Sequence, residues 1–299
     1  MDLIDQLRAF VATAQTGSFT AAAEQMGISN RLTSKYVAEL ETRLGTRLLQ
    51  RTTRKVGLTP SGQDLLARAP ALLDDLDDVL SEVSDGVSGF SGVIRIAAPV
   101  TFGEIYVAGM LGRFADKHPN LSLDLRLNDQ FSDLAAEGID VAFRLGTTDT
   151  LSIKSRKLGT FRAILAASPD YLARAGTPQT PEDLQRHACI VDTNRKNPKR
   201  WVLQKDGADH VALVTGQHQV NSARAASALA VAGHGIIYAP SFAIAPELEA
   251  GRLTPVLPDF ATAQSPVTAV YLEGRVLPRK VRALIDFAAQ DIRDAEICS

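Results

Sequence analysis

Residues 18–62, SFTAAAEQMGISNRLTSKYVAELETRLGTRLLQRTTRKVGLTPSG, read as two helices around a tight turn followed by a basic hairpin. Just ahead of them, Leu3, Ile4, Leu7, Phe10, Val11 and Ala14 recur every three or four positions, the spacing of one buried stripe on an amphipathic helix that Gly17 ends. Ser18 can cap a second helix by accepting from backbone N–H groups two or three residues on, and Ala21, Ala22, Ala23 and Met26 supply helix propensity with small side chains. Gly27 stops that helix, Ile28 can plug the core at the turn, and Ser29 or Asn30 caps a third helix. The apolar set of this third helix is Leu32, Val37, Leu40 and Leu44; its other face is Asn30, Arg31, Thr33, Ser34, Lys35 and Tyr36.

That polar face has the chemistry of a groove reader. Asn pairs bidentately with adenine, Arg or Lys with guanine, and Ser or Thr with bases or phosphates. A polar helix face on its own is ordinarily just solvated. What changes the reading is the element that follows, Arg51-Thr52-Thr53-Arg54-Lys55, which falls where a hairpin would turn and whose cations can neutralise phosphates or enter a minor groove. The candidate DNA-binding residues are therefore Ser18, Thr20, Ser29, Asn30, Arg31, Thr33, Ser34, Lys35, Arg51, Thr52, Thr53 and Arg54.

The words SFTAAA, ELETRLG and QRTTRKVGLTPSG together make this segment resemble the winged helix-turn-helix of LysR-type transcriptional regulators. Two positions depart from the family pattern: Lys35 stands where Arg is usual, and Tyr36 where Gln or His is common. The resemblance implies a double-stranded DNA operator as partner, a homodimer assembling to a homotetramer, and RNA polymerase as a candidate contact.

Local charge agrees. The chain of 299 residues carries a formal net charge of -2, but up to Pro60 eight basic residues face five acids. From Ser61 to Gly89 the sign flips, with Arg68 alone against seven acids. It is the local balance that sets affinity for phosphate. A hydrophobic content of 45% fits a globular chain with two or three cores. No apolar run approaches a membrane span and the first residues are acidic and helical, so a cytoplasmic location without membrane contact is expected. Cys189 and Cys298 lack metal-ligand spacing and read as a buried thiol and a tail thiol; no metal and no cofactor are expected. Nucleophile elbow, phosphate loop, dinucleotide fingerprint and clustered His–acid pairs are all missing, which argues against an enzyme.

Beyond the hairpin, Leu65, Ala69, Leu72, Leu76, Val79 and Val83 alternate spacings of four and three, a heptad seam widened by Leu66, Leu73 and Leu80. One helix cannot bury that surface alone, so a dimerising linker helix is expected, with Asp74, Asp75, Asp77, Asp78 and Glu82 on its solvent face and a bend at Pro70. The Gly- and Ser-rich stretch 84–92 then reads as a hinge.

From Val93 strands and helices alternate: VIRIAAP, a helix over Thr101–His118, LSLDLRL, a short helix over Asp133–Glu137 and IDVAFRLG. A similar unit follows: RAILAASP, then YLARAG and PEDLQRHACIV, then the segments 201–203 and 211–214, a helix over Ser222–Ala232 and the strand GIIYAP. Finally VTAVYLEG returns as a strand and Pro278–Ile292 as a helix. Mainly parallel sheets are expected, in two α/β lobes joined by crossings near Thr160 and Pro266. The expected domains are 1–60, a winged helix-turn-helix; 61–88, a linker and dimerisation helix; 89–161 with 267–299, a first lobe; and 162–266, a second lobe. The words IRIAAPVTFG, DVAFRLG and YLARAGTPQTPEDLQRHACI resemble the effector-binding domain of the same family. The resemblance implies an all-α winged helix-turn-helix with a long linker helix, then a bilobed α/β domain of the type 2 periplasmic-binding-protein kind, its two lobes Rossmann-like.

In doubly wound sheets ligands sit beyond the carboxyl ends of strands, near helix N-termini. Thr101 and Phe102 hold that place in the first lobe, Asn221 and Ser222 in the second, and Asn128, Asp129 and Arg144 lie at neighbouring strand ends. His234, in AGHG, joins the candidates, with a surface-loop histidine as its alternative. The expected ligand is a small-molecule effector, a metabolite, with aromatic compounds or carboxylates as candidates. The sequence thus points to a DNA-binding transcriptional regulator under effector control; the alternative is an effector-independent architectural or autoregulatory DNA-binding protein.

Overall fold

The computed structural model describes residues 2–51, 56–85, 90–130, 134–135, 137–146, 153–273 and 277–295. It divides into two compact units: one takes in Met1–Ile94, Ala115–Ser122 and Leu272–Leu284, the other Arg95–Phe114, Leu123–Tyr271 and Ile285–Ser299.

The first unit opens with α1 (Leu3–Thr16), α2 (Phe19–Met26) and α3 (Asn30–Leu44), followed by the antiparallel strands β1 (Leu49–Arg51) and β2 (Val56–Leu58). Each helix start is capped by a side chain that accepts a backbone N–H: Asp2 from Ile4, Ser18 from Ala21, Ser29 from Leu32. Gly27 closes α2 at φ 65°, a left-handed conformation that lets its N–H reach back to the Ala23 and Glu24 carbonyls and sends the chain into the turn. Phe10, Val37, Leu40, Leu48 and Leu49 form the core with Ala9 and Val11.

Two side chains of α3 correct the sequence reading. Thr33, assigned to the outer polar face, is fully buried and donates its hydroxyl to the Ser29 carbonyl at 3.1 Å. Leu44, assigned to the core, is 48% exposed, whereas Leu48 and Leu49 of the following segment are buried in it.

The linker region is two helices, α4 (Pro60–Leu66) and α5 (Ala69–Asp85). Pro70 sits at the second position of α5, where its missing N–H leaves no intrahelical bond unmade, so the expected bend becomes a break over 67–68. Ala69 and Leu73 turn into the core of the unit, whereas Leu72, Val79 and Leu80 are exposed. The acids expected in solvent are half-buried and engaged: Asp74 pairs with the buried Lys280 at 3.0 Å, Asp75 accepts the Arg279 N–H, and Asp77 pairs with Arg8. The side chains of Asp78 and Glu82 lie outside the described residues, as do residues 86–89 of the expected hinge.

The second unit carries two sheets. The first has the order β4-β3-β5-β14-β6, from β3 (Gly92–Ala98), β4 (Leu121–Leu127), β5 (Val141–Leu145), β6 (Ile153–Phe161) and β14 (Ser265–Leu272). The second has the order β11-β8-β12-β7-β13, from β7 (Ala163–Ala167), β8 (Cys189–Asp192), β11 (Gln219–Val220), β12 (Ile236–Pro240) and β13 (Thr254–Pro255). A separate antiparallel hairpin pairs β9 (Arg200–Lys205) with β10 (Ala208–Leu213). The sheets are mixed rather than mainly parallel. β3 runs parallel to β5, and β8 to both β11 and β12, but β14 is antiparallel to β5, and β7 to β12 and β13. The cause is the pair of crossings, between Phe161 and Ala163 and again between Pro255 and Ser265: a strand arriving from the other sheet has no helical crossover to turn it parallel.

Helix α6 (Val100–Phe102), a π-helical turn (Gly103–Val107) and α7 (Ala108–Ala115) together replace the single helix expected over 101–118. Of the short helix expected over 133–137, Asp133 and Ala136 lie outside the described residues, and Leu134, Ala135 and Glu137 are in turns. The remaining helices are α8 (Pro169–Ala175), α9 (Ala223–Val231), α10 (Ser241–Glu249) and α11 (Arg279–Asp294), with a 3-10 turn over Pro181–Arg186. Cys189 is buried, and that burial pushes its thiol up to about 12, so it is an inert core group; Cys298 lies outside the described residues.

Candidate functional site

On α3, Asn30, Arg31 and Lys35 are exposed, and Ser34 is half-buried. Asn30 is held in place: its Nδ2 donates to the Thr20 hydroxyl at 2.8 Å and its Oδ1 accepts from Ser34 at 3.4 Å, which ties the helix to α2. Lys35 has an i,i+4 partner in Glu39 at 3.9 Å, a contact loose enough to exchange for a phosphate. Ser18 and Ser29 spend their hydroxyl oxygens on helix caps, and each retains an O–H to donate. Tyr36 packs against the core, and Thr33, being buried, presents nothing outward. The wing's tip residues Thr52, Thr53 and Arg54, and the side chain of Arg51, lie outside the described residues.

Sequence reasoning quoted Glu41 only as part of a motif; the structure gives it a task. Its carboxylate, 11% exposed, accepts the backbone N–H groups of Leu48 at 2.8 Å and Leu49 at 3.1 Å through Oε1, while Oε2 faces Arg47 at 3.5 Å. Thr59 adds a second clip, donating to the Arg47 carbonyl at 2.7 Å and accepting from Gly62. The root of the wing is therefore fastened to α3 across a groove of ≈ 380 Å³ that Phe19, Ser34 and Gln50 also line.

The second unit contains a cavity of ≈ 160 Å³. Its first wall is Pro99, Thr101, Phe102, Asp129, Arg144 and Leu145; the facing wall is Asp192, Asn194, Ala223, Pro240 and Phe242. Four sequence candidates, Thr101, Phe102, Asp129 and Arg144, come together here. The other four stay outside the lining. Asn128 accepts the Gln130 N–H in a local turn, Asn221 offers its carbonyl to Asn194 at 2.6 Å, and Ser222 caps α9. His234 precedes β12 and rests against His218 with ring centroids 5.0 Å apart, whereas the cavity takes Pro240 from that strand's carboxyl end. Asp192 obeys the same carboxyl-end rule as the last residue of β8, so the rule could have found it; Asn194 and Phe242 carried no signal of their own.

The cavity's charges are costly to hold. Arg144 is 6% exposed, and burial lowers its guanidinium from its ordinary value against the opposing pull of Glu137 and Asp129. Burial raises the Asp192 carboxyl, and nearby Asp129 adds to the rise; the Asn194 N–H, donated at 3.0 Å, and Arg195 oppose it. Asp129 in turn accepts the Val100 N–H at 3.0 Å. The apolar surface comes from Phe102 and Phe242, tilted at 60° with centroids 5.4 Å apart. Glu104 and Arg224 form an ion pair at 3.0 Å between the π-helical turn and the start of α9. Among the described residues no group of three or more His, Cys, Asp or Glu could hold a metal ion, and no helix is long and apolar enough to cross a membrane.

Comparison with known proteins places both regions. Residues 4–63 match the bacterial regulatory helix-turn-helix protein family, lysR type, and residues 88–293 match the LysR substrate binding domain. An uncharacterized HTH-type transcriptional regulator of Haemophilus influenzae is 37% identical over 284 residues, covering 95% of this chain and 99% of that protein. The HTH-type transcriptional regulator PtxR of Pseudomonas aeruginosa is 35% identical, covering 95% of this chain and 91% of its own. Among solved structures, the full-length Vibrio cholerae virulence activator AphB is 30% identical with a TM-score of 0.60, covering 97% of this chain and 99% of that one.

Proposed function

The chain belongs to the LysR family of transcriptional regulators, with a helix-turn-helix for DNA and a domain for an effector, and we propose that it grips an operator as a homodimer joined along α5. In this reading residues 1–60 bind DNA, 61–88 link and dimerise, 89–161 with 267–299 form one lobe and 162–266 the other. The protein works in the cytoplasm, and its lobes close on a ligand in the manner of type 2 periplasmic-binding proteins. Two recognition helices of a dimer would enter successive major grooves about one helical turn apart. Pairing of the lobes would join two dimers into a tetramer, and the DNA-bound assembly would contact RNA polymerase.

The observation that carries the DNA reading is the capped, core-anchored α3 presenting Asn30, Arg31 and Lys35 together. Protection mapping of the DNA upstream of the gene's own neighbours, with the purified protein, tests it. Arg31→Ala should weaken operator binding at one base position by about 1 to 3 kcal/mol, while Arg54→Ala should lower affinity evenly across sequences and reduce the salt slope by about one. Parent-like binding by both variants would remove these residues from the interface.

The cavity in the second unit is our effector site, for a small molecule with an anionic group on Arg144 and an aromatic or aliphatic body against Phe102 and Phe242. A ligand favouring one arrangement of the lobes shifts the regulator by its differential affinity for the two states, typically about 1 to 3 kcal/mol. Thr101→Val removes one hydroxyl from the wall and should blunt the effector response with operator binding intact. An unchanged dose-response curve would take Thr101 out of the site.

A further inference from the structure

Resting on that effector-site reading, we propose that the cavity selects a zwitterion with a body of about one ring, its carboxylate held by Arg144 and its ammonium by Asp192. The two poles come from different sheets: Arg144 from the carboxyl end of β5, Asp192 from the carboxyl end of β8. Both residues line the same cavity, Arg144 beside Asp129 on the wall from the first sheet and Asp192 on the wall from the second.

Each pole is suited to its half of the ligand. Arg144, 6% exposed, carries a planar guanidinium fork whose several donors match the two oxygens of a carboxylate. Asp192 accepts the Asn194 N–H through Oδ1, and its Oδ2 takes no hydrogen bond among the described residues. Burial raises the Asp192 carboxyl; the Asn194 N–H and Arg195 oppose that rise, and repulsion from Asp129 adds a smaller upward push. An ammonium brought to Asp192 would relieve both that repulsion and the cost of burying the carboxylate.

Charge also argues against the singly charged alternatives. A plain anion gains Arg144 but brings its charge toward two carboxylates; a plain cation gains Asp192 and leaves Arg144 facing like charge. Size sets the body: ≈ 160 Å³ is close to the roughly 150 Å³ apolar cavity that holds one benzene. The tilted rings of Phe102 and Phe242 offer apolar surface for a flat body.

Three compounds of one skeleton separate these ideas by titration calorimetry on the full chain: 4-(aminomethyl)benzoate, 4-methylbenzoate and 4-methylbenzylamine. The zwitterion is expected to bind at least about tenfold more tightly than either singly charged compound. Asp192→Asn should abolish its advantage over 4-methylbenzoate, and Arg144→Gln its advantage over the amine. Equal affinity of the zwitterion and 4-methylbenzoate for the parent overturns the proposal, as does an unchanged ratio in Asp192→Asn. Should Arg144→Gln fail to fold, Asp192→Asn decides alone. If none of the three binds a folded parent that still grips its operator, zwitterion selection is likewise overturned. A metabolite screen then tells the two levels apart: a singly charged binder in the cavity preserves the effector site, and no binder at all removes it.

Discussion

A Leu72→Glu/Leu80→Glu double variant should run as a monomer in sedimentation and bind its operator at least about a hundredfold more weakly than the parent. Both side chains are more than half exposed on α5, at 62% and 54%, with Val79 beside them at 47%, while Ala69 and Leu73 face inward to the core of their own unit. The helix thus satisfies its domain with one face and leaves an apolar strip on the other. Burying one leucine of such a strip stabilises by about 1.5 to 3 kcal/mol, so two glutamates on each of two facing helices remove the hydrophobic gain and add like-charge repulsion. The loss of operator affinity follows from valence, since a half-site held alone forgoes the effective concentration its twin supplied. Because the substituted positions lie outside the core, melting of the N-terminal unit should stay near the parent's. A variant that remained dimeric at micromolar concentration, with operator affinity unchanged, would locate the dimer contact elsewhere.

How far such features could be read from sequence depended on whether their causes were local. The starts and stops of α1 to α3 were legible because Asp2, Ser18 and Ser29 act on backbone groups two or three residues away and Gly27 on its own turn. Thr33 reads as outward by residue type but inward by period: it lies four residues before Val37 and seven before Leu40, on their face, and the Ser29 carbonyl satisfies its hydroxyl. Leu44 keeps the same period but ends the helix, past the point where the core reaches. β6 was missed for a related reason. Lys154 to Lys157 are all exposed, so no alternation marks the strand. α10 carries Pro246 within it, a residue that argues against a helix from sequence. The cavity was half legible: a rule about strand ends leads to Thr101, Phe102, Asp129 and Arg144 and extends to Asp192, but Asn194 and Phe242 become neighbours of that wall only once the second sheet is ordered and set opposite the first.

Glu41→Ala should release the wing, seen as faster hydrogen exchange at the Leu48 and Leu49 amides and an operator affinity lower by about tenfold or more. The carboxylate accepts both amides, and with only 11% of the side chain exposed, little water can take its place. Leaving a buried donor unsatisfied costs about 1 to 3 kcal/mol, and here two donors share one acceptor. The contact with Arg47 adds little, because that side chain is 84% exposed and the separation is 3.5 Å. Nothing in the recognition helix's own outward face is altered, so base preference should persist while affinity falls and the salt slope flattens, the signature of a wing that no longer reaches its phosphates. Glu41→Gln tests the mechanism against mere damage to the fold. Its amide oxygen can still accept from Leu48 and Leu49, more weakly than a charged oxygen, so exchange and affinity should fall between those of the parent and Glu41→Ala. Unchanged exchange at those two amides in the alanine variant would show that Thr59 alone fastens the wing, and Glu41 would lose its role as the residue that positions it.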